Sequence, residues 1–216
     1  MGRNILDIYK EYKIIPSLQM HMLRVAAVAY SVCDNLTVPV NKEEIITACL
    51  FHDMGNILKF KMDVIPQFFE PEGVAYWSKV KDEYLEKYGE NEHEATVEIM
   101  KEVGLADGAI SLAHRNRFSL ICEHFNSGDI SMKILHYADG RVNPYGIVSY
   151  EDRMNEARKR YQGGESSIKE EERQKLVNCG KQIEKQIFEK CKIKPEDITD
   201  ESVARIIKEL KNFVVK

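Results

Sequence analysis

The chain is poor in the residues that interrupt helices, with 6 prolines and 12 glycines among 216 residues. These fall between stretches of helical periodicity rather than inside them. Alternating apolar and polar runs are scarce too, which excludes a β-sheet as the main scaffold. The five cysteines (Cys33, Cys49, Cys122, Cys179, Cys191) are an odd number without a C-x-x-C pair. Three of them lie in apolar stretches as small buried hydrophobes, and a reducing cytoplasm is the simplest setting for such usage. No apolar run approaches the roughly 18 residues of a membrane span. The opening MGRNILDIYKEYKII has no apolar h-region and no small-residue cleavage site, so export is not expected. Leu6 stands where a myristoylation motif wants Ser or Thr. Positive charge is not in excess: the net charge is −4, and stable nucleic-acid binding is not expected. Small basic clusters still suffice for a phosphate group.

What is present is ordinary globular composition, 44% hydrophobic and 31% charged. The length suits one large domain, or one domain with a small appendage. No internal repeat is visible, and the periodicity predicts helix after helix. The first convincing one opens at Pro16-Ser17 with Leu18, Met22, Val25, Ala29 and Val32 as its stripe. A second starts from Asn41 as N-cap, with Glu44 at N3, and continues to Phe60. The looser aromatic segment 62–77, broken by Pro66 and Pro71, reads as a connection, with a lid as the alternative. A surface helix follows over 76–88. Another runs from Asn91, with Glu94 at N3, to Gly104. Further helices are expected over 107–125, 129–142 and within 149–162. Gly163 to Ser167 reads as a flexible joint from its composition. Two amphipathic helices, 168–191 and 200–214, come after it, divided by Lys194-Pro195-Glu196-Asp197. Three roles fit this tail: packing on the core, lidding a site, or joining two copies as a homodimer.

The chemistry lies in polar residues on apolar stripes. His21 shares a helical face with Leu18, Val25 and Val28, and His52 with Ile45, Ala48 and Cys49. His93 precedes Val97 and Met100 on its face, His114 follows Ile110, and Asp139 sits behind Met132 and Leu135. All of them point inward. A single inward histidine is usually a hydrogen-bonded core residue. Four, with Asp53 and Asp139, would need four separate buried pairs, each costing about 1–3 kcal/mol if left unmade. One shared metal site satisfies them together. Neighbours on a helix diverge by about 100°, so His52 facing an ion, with Asp53 offset beside it, suits a bridging carboxylate. Imidazole plus carboxylate fits Fe, Mn, Zn, Co or Ni.

In order, His21, His52-Asp53 and Asp139 resemble the HD superfamily, whose pattern is His, then His-Asp, then a distant Asp. His52-Asp53-Met54-Gly55 is similar to the superfamily's HD-hydrophobic-Gly variant. The likeness spans roughly residues 17–160. It implies an all-α HD-domain helical bundle with a C-terminal helical extension: residues 1–162 as the metal-binding domain, 163–216 as linker and extension. Members with two ions add two histidines in the interval where His93 and His114 fall. By that resemblance His21, His52, Asp53 and Asp139 hold one divalent transition-metal ion, and Asp53, His93 and His114 a second. The stretches NEHEATVEIMKEVGL and ILHYADGRV resemble bacterial nucleotide-cleaving members, including the diadenosine-tetraphosphate hydrolase group. The chain departs from many of these at Asn56, where they carry Lys, and from several at Arg115, where they carry Thr.

The activity implied is metal-dependent phosphohydrolysis of a nucleotide or other small phosphorylated metabolite. Metal-activated hydroxide would attack phosphorus, with His52 and Asp53 at the centre of catalysis. A di-iron oxygenase and a non-catalytic, metal-stabilised regulatory module are the alternatives. Lys59, Arg115, Arg117 and Arg141 are the candidate phosphate ligands. Lys59 lies seven residues after His52, on its face if the helix survives Gly55. Arg153, Arg158 and Arg160 read as a solvated helix face. His124 lies about 80° from His114 on a continuous helix, at the pocket rim or partly exposed near the helix end. His136, one turn before Asp139, is placed to orient that carboxylate or to make a core contact.

Overall fold

The computed structural model describes residues 2–62, 66–160 and 168–215. The expected joint at 163–167, and part of the segment 62–77, lie outside the described residues. Among those described there are eleven α-helices and one two-stranded antiparallel sheet, β1 (Arg3–Asn4) with β2 (Val214–Val215). Those strands, and α1 (Ile5–Glu11), escape the periodicity argument because each is too short to carry a period.

The central element is α2 (Pro16–Asn35), with Pro16 at its first turn and Met22, Val25, Ala26, Ala29 and Val32 fully buried. It packs against α3 (Lys42–Phe51), α8 (Ile130–Asp139) and α11 (Asp200–Leu210). α4 (Val74–Tyr88) buries Trp77, Val80 and Tyr84 along one stripe. α5 (Glu92–Val103) opens on an Asn91 cap and closes at Gly104, whose φ of 85° is the left-handed C-cap that glycine adopts freely. α6 (Asp107–Arg115) packs against both α5 and α3.

Two expected helices are shorter than their stripes. α3 stops at Phe51, and the chain turns through 52–55 into a 3-10 turn at Asn56–Lys59. Met54 N–H reaches Phe51 and Asn56 N–H reaches Asp53, one residue short of the α-helical step. His52 and Asp53 therefore stand on a turn, not on a running helix. The predicted helix over 107–125 breaks at Asn116, and α7 (Ile121–Asn126) is a separate piece after a 3-10 turn.

After α8 come α9 (Tyr150–Arg160) and α10 (Glu170–Phe188). α10 lies on α7 and α8, and α11 on α2. Cys122 of α7 and Cys179 of α10 form a disulfide, which the spacing of the cysteines had not signalled. Cys49 is buried, while Cys33 and Cys191 are partly so. Among the described residues, no helix is long and apolar enough to cross a membrane.

Candidate metal centre

His21 comes from the second turn of α2, His52 and Asp53 from the turn that ends α3, and Asp139 from the last position of α8. Packing of α2 against α3 and α8 brings all four together. His21 Nε2 lies 3.2 Å from Asp139 Oδ1 and 3.6 Å from Asp53 Oδ2. His52 Nε2 lies 3.6 Å from Asp53 Oδ1 and 3.7 Å from Asp139 Oδ1. Donor atoms of His21, His52 and Asp53 all fall within 4.8 Å of one another.

His52 is held with Nε2 turned toward the cluster. Its Nδ1 sits 2.8 Å from the Cys49 carbonyl oxygen, which can only accept, so Nδ1 carries a proton and Nε2 is the atom left for an ion. That Nε2 is buried with no hydrogen-bond partner, since 3.6 Å is too long for one. An orphaned ring nitrogen facing two carboxylates costs stability unless a cation meets it. The donor set, two imidazoles and two carboxylates, fits a divalent transition-metal ion. Electrostatics agree. Burial pulls the His52 pKa down, but Asp53 and Asp139 outweigh it and raise it to about 9. Burial works to raise Asp139, and His21 and His52 more than offset it, keeping the carboxyl well below its ordinary value. The cluster attracts positive charge.

Gly55 lets this turn sit where it does. A Cβ there would lie 2.3 Å from the Glu92 carbonyl oxygen of α5, and Gly55 N–H donates to Thr96 Oγ1 at 2.9 Å. Asn116, at the break after α6, donates from Nδ2 to Asp139 Oδ2 at 3.1 Å. It thereby does the orienting that was one of two readings of His136, the other being a core contact. Both ring nitrogens of His136 are buried without a partner, and burial lowers its pKa to about 4. His124 is fully buried rather than at a rim, its Nε2 2.9 Å from the Arg115 carbonyl oxygen. The broken helix turned it away from the pocket.

The cluster opens into a cavity of about 210 Å³, bordered by His93, Lys59, Asn116, Arg117 and, unexpectedly, Arg153 and Arg160. A larger hollow of about 640 Å³ between α7 and α10 holds no histidine, and its Glu170 and Glu171 are solvent-exposed, so no converging donors favour it. His93 borders the cavity with its pKa lowered, by burial first and by Arg117 and Lys59 against Glu92. His114 does not border it. Its side chain is 43% exposed, Arg117 Nη2 stands 2.8 Å from its Nε2, and Glu94 lies 3.3 Å away. The structure thus brings the first expected ligand group together, places His93 on the same cavity, and turns His114 toward Arg117 and Glu94.

Of the expected phosphate ligands, Lys59 and Arg117 reach the cavity. Lys59 does so from a 3-10 turn rather than along a continuing helix face. Arg115 is paired instead with Asp129 at 3.2 Å. Arg141 is buried, donating to the carbonyls of Val148, Pro195 and Ile198 and to the Tyr137 hydroxyl. It staples the C-terminal segment to α8, because a buried guanidinium must spend its donors locally. Arg153 and Arg160 were misread as solvated. Their seven-residue spacing on one helix was the signal that both share a face. No comparable signal marked Asn116.

A family model for the HD domain matches residues 19–173. No match was found among curated proteins or solved structures.

Proposed function

The chain belongs to the HD-domain family, a family of metal-dependent phosphohydrolases, and on that footing we propose that it hydrolyses a phosphate ester or anhydride of a small metabolite. The observation that carries this reading is the orphaned Nε2 of His52 among His21, Asp53 and Asp139, at the floor of a cavity with Lys59 and Arg117 on its wall. His21, His52, Asp53 and Asp139 would hold the ion. Support for a single ion comes from His114, which hydrogen-bonds with Arg117 outside the cavity. When bound, the ion supplies Lewis acidity, polarising a phosphoryl group and acidifying water.

The protein's own part is binding and order. Cys49 fixes the ring of His52 and Asn116 fixes the carboxylate of Asp139, so neither ligand has to reorganise. Lys59 and Arg117 supply point charge and a planar fork for phosphate oxygens. Lys59 is only loosely tied down, at 3.8 Å from Glu92, whereas Arg117 is positioned by His114, its Nε donating to the carbonyl at 3.1 Å and its Nη2 lying 2.8 Å from the ring Nε2. A nucleotide is the substrate class we favour, given the likeness of two segments to nucleotide-cleaving members.

The test is metal analysis of the purified protein, then a screen of phosphorylated metabolites with Mn, Fe, Co and Ni added back. We expect about one ion per chain and phosphate release that disappears in Asp53→Ala. Two ions per chain would return His93 and His114 to the ligand set. Oxygen uptake without phosphate release would overturn the phosphohydrolase reading.

A further inference from the structure

Part of the wall of the metal cavity offers nothing to a phosphate: Phe60, Phe68, Phe118 and Pro144 border it. Phosphate oxygens call for hydrogen-bond donors, whereas aromatic walls suit a planar or apolar group. Phe68 is the ring with the firmest backbone. Ser17 Oγ donates to its carbonyl oxygen at 3.2 Å, and Ser17 stands one turn before His21 on α2, about 5.4 Å along the axis. The neighbouring Phe69 carbonyl oxygen accepts from Trp77 Nε1 at 3.0 Å and from the Gly73 N–H at 2.7 Å. Tyr145 stands against Phe68, with ring centroids 6.3 Å apart and planes inclined at 64°. At 72% it is the most exposed large hydrophobic side chain among the described residues. Its backbone is nonetheless fixed. Asn143 Oδ1 accepts from the N–H groups of Tyr145 and Gly146, each at 2.8 Å, and Ile147 N–H donates to Asp200 Oδ2 at 2.9 Å. Asn143 and Pro144 border the cavity themselves, just beyond Asp139 in the chain. Two rings meeting edge to face leave ring surface free for a third planar group.

From this we infer that Phe68 and Tyr145 form a nucleobase subsite at the mouth of the cavity, stacking on the base while the phosphate lies at the metal cluster. The inference rests on the phosphohydrolase reading, which presents the phosphate to His21, His52, Asp53 and Asp139. Lys59 and Arg117 answer the charged end of such a substrate, and the two aromatic rings answer its flat end. Both ends refer to one frame, because Ser17 shares α2 with His21 and the turn carrying Tyr145 follows Asp139. Rings held in place before the ligand arrives lose little freedom on binding it. Every base has a π-face, so stacking selects nucleotides over sugar phosphates without selecting among bases. A sugar phosphate would fill only the floor of the cavity and leave the aromatic wall in water.

The experiment measures, by calorimetry on the metal-loaded protein, binding of the hydrolysis-resistant phosphonate analogues of adenosine monophosphate and of ribose phosphate. Wild type should prefer the adenosine analogue by about tenfold or more, the typical worth of one stacked base. Tyr145→Ala and Tyr145→Leu should each lose at least half of that preference on a logarithmic scale, and Tyr145→Phe should keep it. Phe68→Leu should lose it as well, with metal content unchanged. The Tyr145 variants guard against a folding defect, since that side chain is largely in solvent. Equal binding of the two analogues by wild type, or an undiminished preference in Tyr145→Ala or Phe68→Leu, overturns the subsite, whatever the enzyme hydrolyses. Full preference in Tyr145→Leu, or its loss in Tyr145→Phe, overturns stacking as the cause. If the preference depends on both rings but no phosphorylated metabolite is hydrolysed, the subsite stands and the proposed activity falls.

Discussion

His52 and His136 are both buried histidines, yet their surroundings treat protons in opposite ways. Two carboxylates face His52 and raise its pKa to about 9 despite burial. Burial dominates at His136, the pull of Asp139 is weaker, and its pKa falls to about 4. The folded protein therefore holds His136 neutral where the unfolded chain, near 6.5, would take up a proton. Between those two values the unfolded state binds more protons, so stability rises with pH across that window. It is fully present above pH 6.5 and drains away as pH falls toward about 4. The contribution is on the order of 3 kcal/mol, from about 1.36 kcal/mol per pH unit. Urea melts of the wild type at pH 7 and pH 4.5 should show that loss. In His136→Leu the slope over the same interval should be shallower by a similar amount. Equal slopes would mean that the ring is hydrated or protonated in the fold.

At the scale of elements, the junction of α3 with its following turn decides where the chemistry sits. Continuing the helix would aim His52 and Asp53 about 100° apart; the tight turn instead lets Asp53 face His21 while His52 faces Asp139. That turn lies flush on α5, where only hydrogen at Gly55 Cα fits beneath the Glu92 carbonyl. Gly55→Ala should cost about 1–3 kcal/mol, the range for overpacking a rigid contact, because backbone rather than a flexible side chain is in the way. The displacement should also lower metal affinity, since it moves the residues carrying two of the ligands. Denaturant melts and metal titration of the one variant check both. Full stability with normal metal binding would show that α5 yields easily.

For the molecule as a whole, the last fifty residues are fastened to the rest by several independent means. α11 lies on α2, β2 pairs with β1, Arg141 bonds the backbone at Pro195 and Ile198, and Cys122 is linked to Cys179. The disulfide spans 57 positions, for which chain-entropy arguments give about 4 kcal/mol and typical measurements 2–4 kcal/mol. Thiol titration of the denatured, unreduced protein should find three free thiols of the five cysteines. Cys122→Ser should melt earlier than wild type under oxidising conditions and equally under reducing ones. Five free thiols in the protein as isolated would mean that the bond is not made there. A reducing cytoplasm, the setting inferred from cysteine usage, would tend to keep it open.

The sequence alone determined the helical class and most helix starts, because period and capping are local properties: Asn41, Asn91 and Pro16 begin their helices as read. It also pointed to His21, His52, Asp53 and Asp139, since polar residues on apolar stripes need a common partner. Tertiary structure decided the rest. Where α3 and the helix after Ala106 stop is settled by contacts with other elements rather than by periodicity. Those stops turn His124 inward and leave His114 beside Arg117. Whether an arginine meets solvent, a backbone carbonyl or a cavity depends on neighbours distant in sequence, so Arg141, expected at phosphate, is buried against carbonyls, and Arg153, expected in solvent, borders the cavity. Pairing of Cys122 with Cys179 is likewise a fact of packing, made when α10 settles on α7.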